Sequence, residues 1–155
     1  MEESQQLLVF TLDEQRYALH LHAVERVLPI MEITPLPKAP EIVLGVINTG
    51  GRVIAVVDAR RRFGLPARER TLSDHLIIAK TAVRSVALVA DAVTGVMELP
   101  GKAFVPAQSI VPGMEHVEGV LKCDDGLVLI HDLEKFLSLA EEKPLQRALK
   151  AGSGR

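Results

Sequence analysis

Apolar and polar residues alternate along most of this chain in short runs, broken by Gly, Asp, Asn or Pro. Alternation at period two over so few residues marks half-buried strands. It predicts strands at Leu7 to Leu12, Tyr17 to His22, Val53 to Val57, His75 to Lys80, Ser85 to Ala90 and Leu127 to His131. Two of the breaks, Asn48-Thr49-Gly50-Gly51 and Lys122-Cys123-Asp124-Asp125-Gly126, put Gly where a hairpin turn needs positive φ. Pro35 to Pro40 reads as an extended connection, because its prolines lack donors and restrict their neighbours, with one helical turn opening at Pro40. Helical spacing recurs only near the C-terminal end. There Leu133, Phe136, Leu137 and Ala140 follow a candidate N-cap at Asp132, and Pro144 marks the stop or a break. Asp58 is the matching cap of a helix that Gly64 and Pro66 end after about two turns. With no long helices between the strands, a small barrel or sandwich is expected, not a parallel α/β sheet.

The pattern occurs twice. Leu44-Gly45-Val46-Ile47, a turn, and Val53 to Asp58 return as Glu118-Gly119-Val120-Leu121, a turn, and Leu127 to Asp132. Gly45 maps to Gly119, Val46 to Val120 and Asp58 to Asp132 at one constant spacing. Upstream, Leu7-Leu8-Val9 matches Leu76-Ile77-Ile78, Ala18-Leu19 matches Ala87-Leu88, and Val24 and Val27 match Val93 and Val96. A short insertion in the stretch Pro100 to Gly113 separates the two frames, as loops tolerate. The halves are about 7–63 and 76–137. Two copies are too few for a solenoid, so duplication inside a single domain, residues 1–155, is expected, with a disordered tail at about 150–155.

Composition narrows the function more than the fold. An apolar content of 48% with no Trp fits an aliphatic core, and a net charge of −2 makes no electrostatic case for nucleic acid or an anionic membrane as main partner. The single cysteine, Cys123, excludes an internal disulfide and suits a reducing compartment. The polar start Met1 to Gln6 carries no secretory signal pattern, and no apolar run approaches a membrane span.

No catalytic, cofactor or metal set emerges. His20 and His22 fall on one face of a predicted strand, but His75, His116 and His131 offer no third ligand at recognisable spacing. Cys123 sits in a turn beside Asp124 and Asp125, which oppose a thiolate. Asp58 and Asp132 occupy repeat-related cap positions, which accounts for both without acid–base chemistry. Arg52, Arg60, Arg61, Arg62, Arg68 and Arg70 form one lopsided cluster, either a solvated helix face and linker or a docking patch for an acidic protein or RNA. A metal-dependent enzyme and an RNA-binding small barrel stand as the alternatives to an adaptor.

Phe10-Thr11-Leu12, Tyr17-Ala18-Leu19, Val24-Glu25-Arg26-Val27, the Pro35 to Pro40 connection, Gly45-Val46-Ile47-Asn48 and Val53 to Asp58 follow one another at a spacing that resembles the CheW family of chemotaxis coupling proteins. The resemblance spans about Leu7 to Leu139. It implies an all-β chain of two small five-stranded SH3-like barrels packed over a shared core, with short helices and a C-terminal helix. It further implies a non-enzymatic cytoplasmic adaptor without cofactor. Such an adaptor links the regulatory domain of a CheA-type histidine kinase to the cytoplasmic hairpin tips of chemoreceptors, and meets the membrane only through those receptors. Family members are sometimes labelled purine-binding, but nothing in this sequence supports a nucleotide site. Partner binding is then expected at Val24, Arg26, Val27, Gly45, Val46, Asn48, Gly50, Gly51 and Arg52. Two of these depart from the family pattern. Arg26 stands where an acid is usual (Val-x-Glu-Val) and Gly50 where a base is usual (Asn-Leu-Arg-Gly), so the sign of the interaction at the first position reverses. A divergent kinase–receptor pair, in a pathway other than flagellar chemotaxis, is the expectation.

Overall fold

The alternating runs fold into strands that share two sheets. In the computed structural model, which describes residues 6–98, 104–106, 117–124, 126–135 and 139–153, the first strands are β1 (Gln6–Leu12), β2 (Gln15–His20), β3 (Val24–Pro29), β4 (Val43–Thr49) and β5 (Arg52–Val57). A one-turn helix, α1 (Ala59–Arg62), follows. The second series is β6 (His75–Lys80), β7 (Ser85–Ala90), β8 (Ala92–Glu98), β9 (Phe104–Pro106), β10 (Val117–Cys123) and β11 (Gly126–His131), ahead of the C-terminal helix α2 (Leu139–Ser153).

Neither repeat forms a sheet by itself. The order is β8-β1-β2-β11-β10-β9 in one sheet and β3-β6-β7-β5-β4 in the other. Each sheet takes the opening hairpin of one repeat and the remaining strands of the other. The exchange keeps register: Leu8 faces Val96 as Ile77 faces Val27, and Tyr17 faces Leu129 as Val86 faces Ala55. The bulges repeat as well, one between Val43 and Gly45, the other between Val117 and Gly119. The two sheets are thus related by a pseudo-two-fold axis through exchanged halves.

Each sheet curls because its two edge strands are consecutive in the chain. In the second, Thr34 and Val46 donate to each other's carbonyls at 2.8 Å in both directions, joining the continuation of β3 to β4. In the first, the same closure is a full strand, β9 pairing with Gly119 to Leu121. That is why one barrel has six strands where five are expected.

Three apolar cores follow from the alternation. Leu7, Val9, Ala18 and Leu121 fill the first barrel, and Ile47, Val56, Leu76 and Ile78 the second. The intervening residues Leu8, Phe10 and Leu12 of β1 meet Ile77, Ala79 and Leu88 between the barrels. Strands β1, β6 and β7 are buried on both faces, hence their nearly continuous apolar runs.

Several local expectations change. The strand expected at Tyr17 to His22 ends at His20, and Leu21–Ala23 is a 3-10 turn that carries the chain from one barrel to the other. Pro40 opens a single turn closed by the Val43 N–H on its carbonyl, not a helix. The C-terminal helix does not start at Asp132. A 3-10 turn, Leu133–Lys135, comes first, while Phe136 and Leu137, like Asp125, His116 and most of the insertion Pro100 to Gly113, lie outside the described residues. Pro144 does not stop α2 but sits inside it. The missing Pro N–H costs the helix a bond, offset by burial of Leu145 and Ala148 and by ion pairs from Arg62 to Glu141 and Arg84 to Glu142. Helix α2 runs through Ser153, into the stretch expected to be the tail.

Candidate docking site

The expected partner-binding residues divide between the two open edges of the second barrel. On β3, Val24 is half-buried against the inter-barrel core, Arg26 is exposed, and Val27 is 37% exposed. Val27 pairs with Ile77 and the repeat-related Val96, 52% exposed, pairs with Leu8. Directly paired residues share a face of the sheet, and Ile77 and Leu8 belong to the core between the barrels. Val27 and Val96 are therefore its exposed rims.

On β4, Gly45 is buried, and a Cβ there would stand 2.3 Å from the Thr34 carbonyl oxygen and 2.9 Å from Ile33 Cγ2. That close approach comes from the chain's own closing segment, Ile33 and Thr34. Gly119, its repeat mate, is crowded likewise by Phe104 and Val105. Val46 is half-buried and Asn48 exposed. Gly50 and Gly51 make the two-residue turn with φ of 59° and 84°, as a type I′ hairpin demands.

Arg52 leaves that turn to join a clamp. Its Nη1 donates to Glu25 Oε2 at 3.1 Å and its Nη2 to Ser85 Oγ at 3.0 Å, and the Ser85 hydroxyl donates to Glu25 Oε1 at 2.6 Å. The Ser85 hydrogen bond, then Arg52, holds the Glu25 carboxyl below the usual carboxylate range.

A groove on the same barrel joins Val46 to residues that the sequence did not single out. Leu36, Val46, Val53, Val83 and Leu149 line a volume of about 580 Å³ between the β4–β5 hairpin, the β6–β7 turn and α2, with Arg84 on its rim. Val53 is 60% and Val83 65% exposed. The turn that carries Val83 is preorganised: Thr81 Oγ1 accepts from the Val83 and Arg84 N–H groups at 3.2 and 3.1 Å, and Ala82 N–H donates to the Glu134 carboxylate. A signal was present in the chain, since an aliphatic residue at a turn tip and an outward-facing Val in β5 both break the alternation.

The arginine cluster is largely consumed internally. Arg61 pairs with Glu41 and Arg62 with Glu141. Arg60 donates to Asp13 at 2.7 Å and Asp91 at 2.6 Å, and Arg68 to Asp74 at 2.8 Å and Asp91 at 2.6 Å. These pairs tie the segment after α1 across the junction of the barrels, while Arg70 is exposed and has no ion pair among the described residues. Elsewhere, His20 lies 2.8 Å from Glu118, while His22 is on the 3-10 turn, and no three His, Cys, Asp or Glu among the described residues are placed to hold a metal. Asp58 accepts from the Arg61 N–H as a helix cap, and Cys123 packs against the first barrel's core.

A family model described as a CheW-like domain matches residues 6–141. The chain belongs to the CheW family. The chemotaxis protein CheW of Rhizobium meliloti strain 1021 is 29% identical over 140 residues, covering 89% of this chain and 90% of the relative. That of Thermotoga maritima is 30% identical over 132 residues, covering 85% and 87%. The crystal structure of the scaffolding protein TtCheW from Thermoanaerobacter tengcongensis superposes with a TM-score of 0.80 at 29% identity, covering 88% of this chain and 94% of that one. The two barrels are accordingly SH3-like, as the family fold has them. No helix among the described residues is long and apolar enough to cross a membrane.

Proposed function

We propose that this chain is a non-enzymatic adaptor that couples chemoreceptors to a CheA-type histidine kinase. The observation that carries the reading is the presence of two separate exposed apolar surfaces on a chain of the CheW family. One is the groove walled by Val53, Val83 and Leu149. The other is the rim of the inter-barrel core at Val27 and Val96. An adaptor must hold two partners at once, and in such contacts a few residues in well-packed, desolvated surroundings carry most of the affinity. We assign the groove to the kinase regulatory domain and the rim to the receptor tip. Recruitment to a receptor array, from a cytoplasmic pool, follows from that role.

Binding of purified kinase regulatory domain and of a receptor-tip fragment, measured separately by calorimetry, tests the division. Val53→Glu with Val83→Glu should abolish kinase binding and leave receptor binding intact. Val27→Glu with Val96→Glu should do the reverse. Loss of both partners by either pair, or no loss by both, refutes the two-surface reading.

A further inference from the structure

The groove on the second barrel is charged as well as apolar. Beside its aliphatic walls it is lined by Arg84, Gln146 and Lys150, and no carboxylate among the described residues lines it. Arg84 is occupied: its Nε donates to Glu142 Oε1 at 2.6 Å and its Nη2 to Gln146 Oε1 at 3.1 Å. That pairing fixes α2 on the barrel and sets Leu149 and Lys150 at the groove. Lys150 belongs to a row. Lys143, Arg147 and Lys150 recur at i, i+4 and i+7, the spacing of one helix face, and all three are exposed, while Leu145 and Ala148 bury the other face. The carboxylates of α2 pair elsewhere, Glu141 with Arg62 and Glu142 with Arg84, and Lys143 and Arg147 have no ion pair among the described residues. Glu134, beside the β6–β7 turn, accepts the Ala82 N–H with both oxygens at 3.1 Å and does not line the groove. The helix dipole accounts for a base in the last turn, at Lys150, but it fades within that turn and leaves Lys143 and Arg147 unexplained.

We propose that the groove takes an acidic, aliphatic segment of the kinase regulatory domain, its apolar side chains between Val53 and Val83 and its carboxylates against Lys150 and the outer face of α2. The inference rests on the assignment of the groove to the kinase and adds the chemistry of the segment that fills it. Val53 and Val83 supply apolar surface to desolvate, and the cationic row gives the encounter its orientation and its rate. A segment carrying bases at the same places meets repulsion from Lys150 and Arg147, so the row discriminates between kinases. A single-stranded RNA would meet the same charges, but no aromatic residue lines the groove for a base to stack on.

The test is the binding kinetics of the full chain with the purified regulatory domain of its CheA-type kinase, at low and high salt. Lys150→Glu should weaken binding by roughly threefold, and Arg147→Glu with Lys150→Glu by roughly tenfold, both mainly through slower association. Lys143→Glu with Arg147→Glu leaves Lys150 in place and should also cost roughly threefold. Wild-type affinity should fall as salt is raised, and that of the variants should fall less. Lys122→Glu, at an exposed position on β10 of the first barrel, changes the net charge equally and should bind as the wild type does. Wild-type affinity in Arg147→Glu with Lys150→Glu, an equal loss in Lys122→Glu, or tighter binding of single-stranded RNA than of the kinase domain overturns the inference. A wild type that does not bind the kinase domain at all overturns the kinase-coupling reading instead.

Discussion

Replacing Gly45 with alanine separates two explanations of the glycine that opens each repeat's second hairpin. If Gly45 exists to let a partner approach, the variant should fold normally and lose binding. If it exists to close the barrel, the variant should lose stability. The structure favours the second. The added methyl would lie 2.3 Å from the Thr34 carbonyl oxygen and 2.8 Å from its carbon, well inside contact distance and against backbone, which has no rotamer to yield. Relief requires the Ile33–Thr34 segment to withdraw, stretching the paired 2.8 Å hydrogen bonds that close the sheet. Overpacking of this kind costs about 1–3 kcal/mol, and weakening two backbone bonds adds roughly 1 kcal/mol. For a chain of this size a loss of about 3 kcal/mol lowers Tm by about 6–12 °C. Two companions calibrate the result. Gly119→Ala meets Phe104 Cε1 at 2.5 Å and the Val105 carbonyl oxygen at 2.6 Å, but it lacks the φ of 154° that adds backbone strain at Gly45, so a somewhat smaller loss of about 2 kcal/mol is expected. Gly50→Ala meets no atom and bears only the cost of its φ of 59°, about 1 kcal/mol. Thermal melting by circular dichroism should therefore rank Gly45→Ala below Gly119→Ala below Gly50→Ala. A Gly45→Ala protein that melts with the wild type, or above Gly50→Ala, would refute the closure argument.

Other consequences follow from the same geometry. Burial pushes the Asp91 carboxyl up, but hydrogen bonds from Arg60 and Arg68 outweigh it and leave its pKa below the ordinary value. A lowered folded-state pKa contributes stability above the unfolded value, near pH 4, that is lost as pH falls through the folded one. Asp91→Asn should thus cost about 2 kcal/mol at pH 7, and in urea melts the gap from wild type should shrink as pH drops below about 4. Leu145, fully buried, fastens α2; Leu145→Ala should lower stability by about 2–4 kcal/mol and, by loosening the wall that carries Leu149, weaken kinase binding more than receptor binding. Val53→Glu alone removes no buried contact, since Val53 is 60% exposed, so its Tm should stay near wild type, and a large drop would mean the residue is structural.

What could be read from the sequence was local, because strands and turns are written in residues a few positions apart. The runs His75 to Lys80 and Ser85 to Ala90 became β6 and β7 with those bounds, and the Asp58 cap and the paired-glycine turn are where residue chemistry requires them. Among the strands that the alternation did not announce, β3 and β8 carry Glu25-Arg26 and Thr94-Gly95 at their bulges, and a bulge shifts the period by one residue and erases the pattern. Charge was misleading for a related reason. Six arginines close in sequence suggested a solvated face or a docking patch, yet Asp13, Glu25, Glu41, Asp74, Asp91 and Glu141, scattered along the chain, meet five of them in space, and no local reading pairs residues so far apart.

The exchange of hairpins between repeats sharpens where function must lie. A duplicated unit that interlocks with its copy constrains both copies alike: each alternating position of β1, β2, β6 and β7 faces either its own barrel or the common core, so neither copy can drift there without disturbing both. Freedom remains at the closures and additions. The first barrel is closed by three residue pairs of β9, the second by the single bridge from Thr34 to Val46. That leaves more of the β4 edge open beside the groove. Helix α2 has no counterpart after α1, which ends within one turn at Phe63 and Gly64, and it lies on the second barrel, held by Arg62 and Arg84. Val53 and Leu127 occupy equivalent places, and Val53 gains a groove wall from Leu149 of α2. The asymmetry that a two-partner adaptor needs therefore arises where the symmetric core imposes least, on the open edge and the added helix of one barrel.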